Sequence, residues 1–145
     1  MTRNAFTLLE VLLSISLIAV LSAISIPIYR SLQTRNSLDL AVNSIVQGLK
    51  RAQTLSQAIE GDSGWGVRVE IDKATLFKGV SFAGRDSAFD EVFEFSGNIN
   101  PSGVQEIAFA KFSGQPQATG TLTLTIPNSG ETRIITINEK GTINY

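Results

Sequence analysis

The 145-residue chain contains no cysteine and no histidine. Without cysteine it has no disulfide framework, no thiolate zinc site and no thiol nucleophile, and its redox compartment stays open. Without histidine it lacks the commonest general base and the commonest transition-metal ligand. Hydrolases built on Ser/His/Asp or Cys/His arrangements are therefore excluded. An excess of either charge is missing too: 12 Lys and Arg stand against 13 Asp and Glu, for a net charge of −1. No overall basic field points to nucleic acid or anionic lipid as a partner. Internal repeats and low-complexity tracts are lacking. Gly64-Trp65-Gly66 is not followed by the Gly-Lys-Ser/Thr of a phosphate loop. The length suits one modest domain rather than two.

What the chain does have is unevenly distributed. From Val11 to Tyr29 there is no charged residue. A helix from Phe6 to Ile28 would span roughly 34 Å at about 1.5 Å per residue, enough to cross a bilayer's hydrocarbon core. After it, Leu38, Val42, Ile45, Leu49, Ala52, Ser56 and Ile59 recur at alternating steps of four and three, which places them in one stripe of a helix. Arg35, Asp39, Lys50 and Arg51 lie mostly off that stripe. No turn signal separates the two stretches, so the spacing predicts one helix of roughly 80 Å, apolar in its first half and amphipathic in its second. Pro27 should kink or loosen it.

Gly61-Asp62-Ser63-Gly64 is the expected stop, and the rest reads as β structure. Val67, Val69 and Ile71 alternate with charged residues, and Thr75–Lys78 would pair back after an Asp72-Lys73-Ala74 turn. Ser81 to Asp90 reads as a loop, with short strands near Val92–Phe95 and Ile107–Phe112. Leu122, Leu124 and Ile126 alternate with threonines; Pro127-Asn128-Ser129-Gly130 turns into Arg133–Ile137, and a second turn leads to Ile143 and Tyr145. The C-terminus is thus expected to be a three-stranded antiparallel meander. Residues 61–145 alone would have a thin core, which the amphipathic stripe can complete by packing on the sheet. The expected fold class is α+β: a long N-terminal helix packed on a C-terminal antiparallel β-sheet head.

Glu10 is the most informative residue. A carboxylate in an apolar helix costs on the order of 2.5–3.5 kcal/mol at a bilayer's centre and less near its edge, so it is a functional candidate. Ala5-Phe6-Thr7-Leu8-Leu9-Glu10, followed by the apolar run with Pro27, resembles the signature of type IV pilins and pseudopilins. The resemblance implies a leader at 1–5, a cut between Ala5 and Phe6 by the prepilin peptidase, N-methylation of Phe6, and Glu10 as the assembly carboxylate. It further implies a membrane and assembly segment at 6–29, an amphipathic half at 30–60, a head at 61–145, and other pilin subunits as partners. Ala5 stands where the family normally has glycine; alanine is also small. Arg3 precedes the apolar run whereas Arg30 and Arg35 follow it, so charge alone leans against a cytoplasmic N-terminus. That orientation, single-pass in a bacterial inner membrane with the head outside, is implied by the resemblance.

Later residues resemble minor pseudopilins of the GspH/FimT type: Leu49-Lys50-Arg51-Ala52-Gln53, Gly64-Trp65-Gly66-Val67, Leu76-Phe77, Ile107-Ala108-Phe109 with Gly114, and Arg133-Ile134-Ile135-Thr136-Ile137 through Gly141 to Ile143. What this implies is a non-enzymatic subunit of a pilus or type II secretion pseudopilus, with no cofactor. Other features have plainer readings. Asp86, Asp90 and Glu91 could attract calcium but lack EF-hand spacing, and a solvated acidic loop accounts for them. Trp65 and the phenylalanines Phe82, Phe89, Phe93, Phe95, Phe109 and Phe112 are expected mostly in the core. Lys50, Arg51, Arg133 and Lys140 are too scattered to predict nucleic-acid binding. The rival reading is a secreted β-rich binding module with an ordinary signal peptide cut near Ser22-Ala23.

Overall fold

The computed structural model describes residues 6–95 and 98–145, and of 23–28 and 30 the backbone only. Its first element is the helix α1, Leu8–Gln57, 50 residues long. The chain forms two compact units, Met1–Gln33 and Thr34–Tyr145. In the second unit the α1 stripe behaves as its spacing requires. Leu38, Val42, Ile45, Leu49, Ala52 and Ser56 are all buried, with Ala41 and Val46 beside them.

Among the described residues eight strands follow: β1 Trp65–Glu70, β2 Lys73–Lys78, β3 Asp86–Glu94, β4 Asn100–Gly103, β5 Glu106–Phe109, β6 Gly120–Ile126, β7 Glu131–Ile137 and β8 Ile143–Asn144. They form two four-stranded sheets, ordered β3-β2-β1-β5 and β4-β6-β7-β8, in which every pairing is antiparallel. Alternation explains which side chains turn inward: Val67 and Val69 of β1, Leu122 and Leu124 of β6, and Ile135 and Ile137 of β7 are buried, all within one cluster with α1. Each such side chain contributes about 1.5–3 kcal/mol on burial. Gly66 has a specific reason to be glycine. A Cβ there would lie 2.5 Å from the Phe77 ring and 2.8 Å from the Ile107 carbonyl oxygen.

Polar groups fix how helix and sheets meet. Buried Ser56 ties the end of α1 to the first sheet. Its hydroxyl accepts the Trp65 N–H at 2.8 Å and donates to the Phe109 carbonyl at 3.3 Å. Both guanidinium Nη atoms of Arg51 reach the Glu91 carboxylate, at 2.7 and 2.8 Å, joining α1 to β3. Toward β7, Arg133 pairs with Asp39 at 2.8 Å and Arg35 with Glu131 at 3.0 Å. These pairs are largely exposed, so they set orientation more than they add stability.

Several expectations are corrected. The head has two sheets rather than one; β4 adds a fourth strand beside the C-terminal meander. The helix ends at Gln57, and Ile59, expected in the stripe, is left-handed with φ 56°. Ser81–Asp90 is not all loop: β3 begins at Asp86, an edge strand in which Asp90 and Glu91 are paired with Arg85 and Arg51. Lys73 and Ala74 belong to β2, so the preceding turn centres on Ile71 and Asp72. That turn leaves Ile71 exposed rather than inward. Phe109 and Trp65 are buried, and Phe93 and Phe95 pack against the core, but Phe89 and Phe112 are exposed.

Candidate functional site

The first turn of α1 is built from Thr7-Leu8-Leu9-Glu10. The Thr7 carbonyl accepts the N–H groups of Glu10 and Val11 at 3.1 and 3.2 Å, opening the helix. The Thr7 hydroxyl also accepts the Glu10 N–H, at 3.3 Å. Thr7 is therefore the N-cap and Glu10 stands three positions on, the Thr-x-x-Glu spacing of a capping box. Glu10 is the acidic residue of this first turn, at the positive end of the helix dipole. The Thr7-x-x-Glu10 spacing is itself a sequence signal for a helix start.

From Val11 to Ser22 α1 carries no charged side chain, and large apolar ones emerge on every side. Leu8, Leu9, Leu12, Ile15, Ile18 and Leu21 are among the large side chains left exposed. The serines in the run do not interrupt it. Ser14 and Ser22 donate to carbonyls four residues earlier and Ser16 to one three earlier, each at 2.8 Å, so their polar groups are satisfied within the helix. An all-round apolar helix needs lipid or other protein to cover it. Among the described residues no helix is long and apolar enough to cross a membrane. The side chains of 23–28, inside the apolar run read from the sequence, lie outside those described; the backbone of α1 runs through Pro27 within one helix.

Of the expected site residues, the structure brings Phe6 and Glu10 to one end of α1. Phe6 is exposed just before the helix begins, and Glu10 is exposed in its first turn. Ala5, the residue expected before the cut, lies outside the described residues. The other flagged groups are tied up locally. Asp90 accepts from Arg85 Nε at 2.8 Å, Glu91 holds Arg51, and Asp86 accepts the Ala88 N–H at 3.2 Å. Among the described residues no group of three or more potential ligands is placed to hold a metal ion. Arg133 is held by Asp39, and the Lys50 ammonium sits 5.9 Å from the Tyr145 ring centre. Elsewhere, a hydrogen bond and the positive charge of Lys111 hold the Asp62 carboxyl below its ordinary range.

The same terminal stretch is what comparison with known proteins picks out. Residues 1–26 match the prokaryotic N-terminal methylation motif. No curated protein and no solved structure matches the chain. The methylation motif is a prepilin-type cleavage and methylation signal, and it supports a type IV pilin-like or pseudopilin subunit. It implies processing by prepilin peptidase and assembly with other pilin subunits, and it suggests a membrane-associated precursor that later enters a pilus. It also suggests a structural rather than enzymatic role.

Proposed function

We propose that the chain is a minor pilin or pseudopilin of the GspH/FimT kind, assembled into a type IV pilus or a type II secretion pseudopilus. Prepilin peptidase cuts between Ala5 and Phe6, and the new Phe6 terminus is N-methylated. Before assembly, 6–29 holds the precursor in the bacterial inner membrane with the head outside the cytoplasm. Pro27 then lets the helix adjust as subunits pack. The observation that carries this reading is the position of Glu10: an ionisable group in the first turn of a helix whose following stretch, Val11–Ser22, is uncharged, four residues from Phe6 and within the methylation motif.

In a filament the Glu10 carboxylate meets the Phe6 ammonium of a neighbouring subunit inside an apolar bundle. Removing one member of a buried ion pair costs about 3–5 kcal/mol, enough to suppress incorporation a hundredfold or more. Glu10→Gln is the informative change, because glutamine also serves a capping box and so preserves the helix start. Tagged wild-type and Glu10→Gln chains are co-expressed with the assembly machinery and their yields in sheared filaments compared. The expected result is normal insertion, folding and cleavage with loss of incorporation. Equal recovery would reduce Glu10 to a helix-capping residue.

A further inference from the structure

The first helical residue of α1 is Leu8, and Phe6 and Thr7 lie before it. Among the described residues the earliest backbone acceptor of α1 is the Thr7 carbonyl, which takes the N–H groups of Glu10 and Val11. The Thr7 hydroxyl takes the Glu10 N–H as well, at 3.3 Å. A helix that opens on Thr7 makes no use of the carbonyls before it. The expected cut falls at the carbonyl of Ala5, two positions ahead of that cap.

Residue types alone do not force this start. Asn4 is among the best N-cap residues, and Ala5 is the strongest of helix formers. Neither proline nor glycine stands between Asn4 and Leu8 to stop a helix there. A helix capped by Asn4 would bond the Asn4 carbonyl to the Leu8 N–H and the Ala5 carbonyl to the Leu9 N–H. The Ala5 carbonyl would then be closed into a turn, with Phe6 wound beside it. Thr7 competes well because Glu10 stands three positions on, whereas the residue three positions after Asn4 is Thr7 itself.

We propose that Thr7 is a positioning residue for processing: by capping α1 it keeps the Ala5–Phe6 bond out of the helix, in a form that a peptidase can grip. The inference rests on the processing reading and gives Thr7 a part in it. In the cut, water adds to the Ala5 carbonyl carbon and the Ala5–Phe6 C–N bond breaks. Ala5 leaves as a carboxylate, and both protons of the water end on the Phe6 nitrogen as an ammonium. Proteolysis tracks the population of open chain, so a carbonyl held in a helical turn is a poor target. Thr7→Ala removes the cap and puts a strong helix former in its place, which moves the balance toward the Asn4 start about fivefold.

The full-length precursor in detergent micelles is incubated with prepilin peptidase, and loss of residues 1–5 is timed by intact mass. The Cα chemical shifts of Ala5 and Phe6 report the backbone there independently of cutting. Thr7→Ala should be cut about fivefold more slowly than wild type, with both shifts moved to helical values. Thr7→Ser keeps a capping hydroxyl and should match wild type in both readouts. Thr7→Pro has no hydroxyl, but proline disfavours helix at the residue before it, so Phe6 stays extended and cutting should stay within about twofold of wild type. That rescue separates backbone form from recognition of the hydroxyl. Thr7→Ala cut at the wild-type rate would overturn the proposal, as would slow cutting without helical shifts, or Thr7→Pro as slow as Thr7→Ala. A wild type that keeps residues 1–5 would overturn the processing reading, and this inference with it.

Discussion

Replacing Ser56 by alanine tests how the amphipathic end of α1 is attached to the sheets. The Ser56 side chain is fully buried, and its hydroxyl is the acceptor for the N–H of Trp65. Alanine keeps the helix and the fit but strands that N–H where water does not reach. An unsatisfied buried donor costs about 1–3 kcal/mol, and the lost bond to the Phe109 carbonyl adds about 0.5–1.5 kcal/mol. A total near 2–3 kcal/mol is a large share of the roughly 5–15 kcal/mol available to a domain. The measurement is urea unfolding of a fragment spanning 29–145, followed by the fluorescence of Trp65, the single tryptophan. With m of about 1–3 kcal/mol/M, the midpoint should fall by roughly 1–2 M, and Tm by about 8–12 °C. Thr54→Ala is the matched control: its hydroxyl bonds only the carbonyl of Lys50 in its own helix, and its loss should change stability by less than about 0.5 kcal/mol. If Ser56→Ala were as mild as the control, the attachment of α1 to β1 and β5 would not depend on this hydroxyl.

Two further outcomes follow from the end of α1. Ile59→Gly should stabilise the head by about 1 kcal/mol in the same urea experiment, because glycine accepts φ 56° without the strain a β-branched residue carries there. Lys111→Ala should return the Asp62 carboxyl upward to its ordinary range, measurable by NMR titration. Because the folded pKa is lowered, the stabilisation it reflects is present above the ordinary value of 3.8 and is lost as pH falls through the folded value. The wild-type head should therefore lose more of its stability than Lys111→Ala on acidification through that window.

The parts of the fold that were legible are those where one face meets the core. The steps of four and three from Leu38 to Ser56 fixed the buried stripe because a helix repeats its faces at that period. The threonine alternation of β6 and the isoleucines of β7 did the same at period two. The second half of β3 was read as a strand near Val92–Phe95, but its first half was hidden because Asp86, Asp90 and Glu91 make the sequence look solvated. As an edge strand it tolerates those charges, and Arg85 and Arg51 offset two of them. β4 was hidden by Pro101, which an edge strand can also accept. The division into two sheets depends on pairing β1 with β5 and β4 with β6, which no local pattern records. Ile59 departed from its stripe because the chain turns left-handed there, a cost that periodicity does not register. At the site, the residue types around Glu10 suggested its setting, and the Thr7-x-x-Glu10 spacing also held the helix start, which the Thr7 hydroxyl caps.

Processing as a pilin-like subunit is tested most directly by the mass of the mature protein. Protein extracted from the membranes of its native host is measured intact and its N-terminal peptide sequenced. The account predicts loss of Met1–Ala5 and one added methyl group on the amine of Phe6. A mature terminus near Ile24, as an ordinary signal peptidase would leave, or an unprocessed chain carrying all five leading residues, would contradict it.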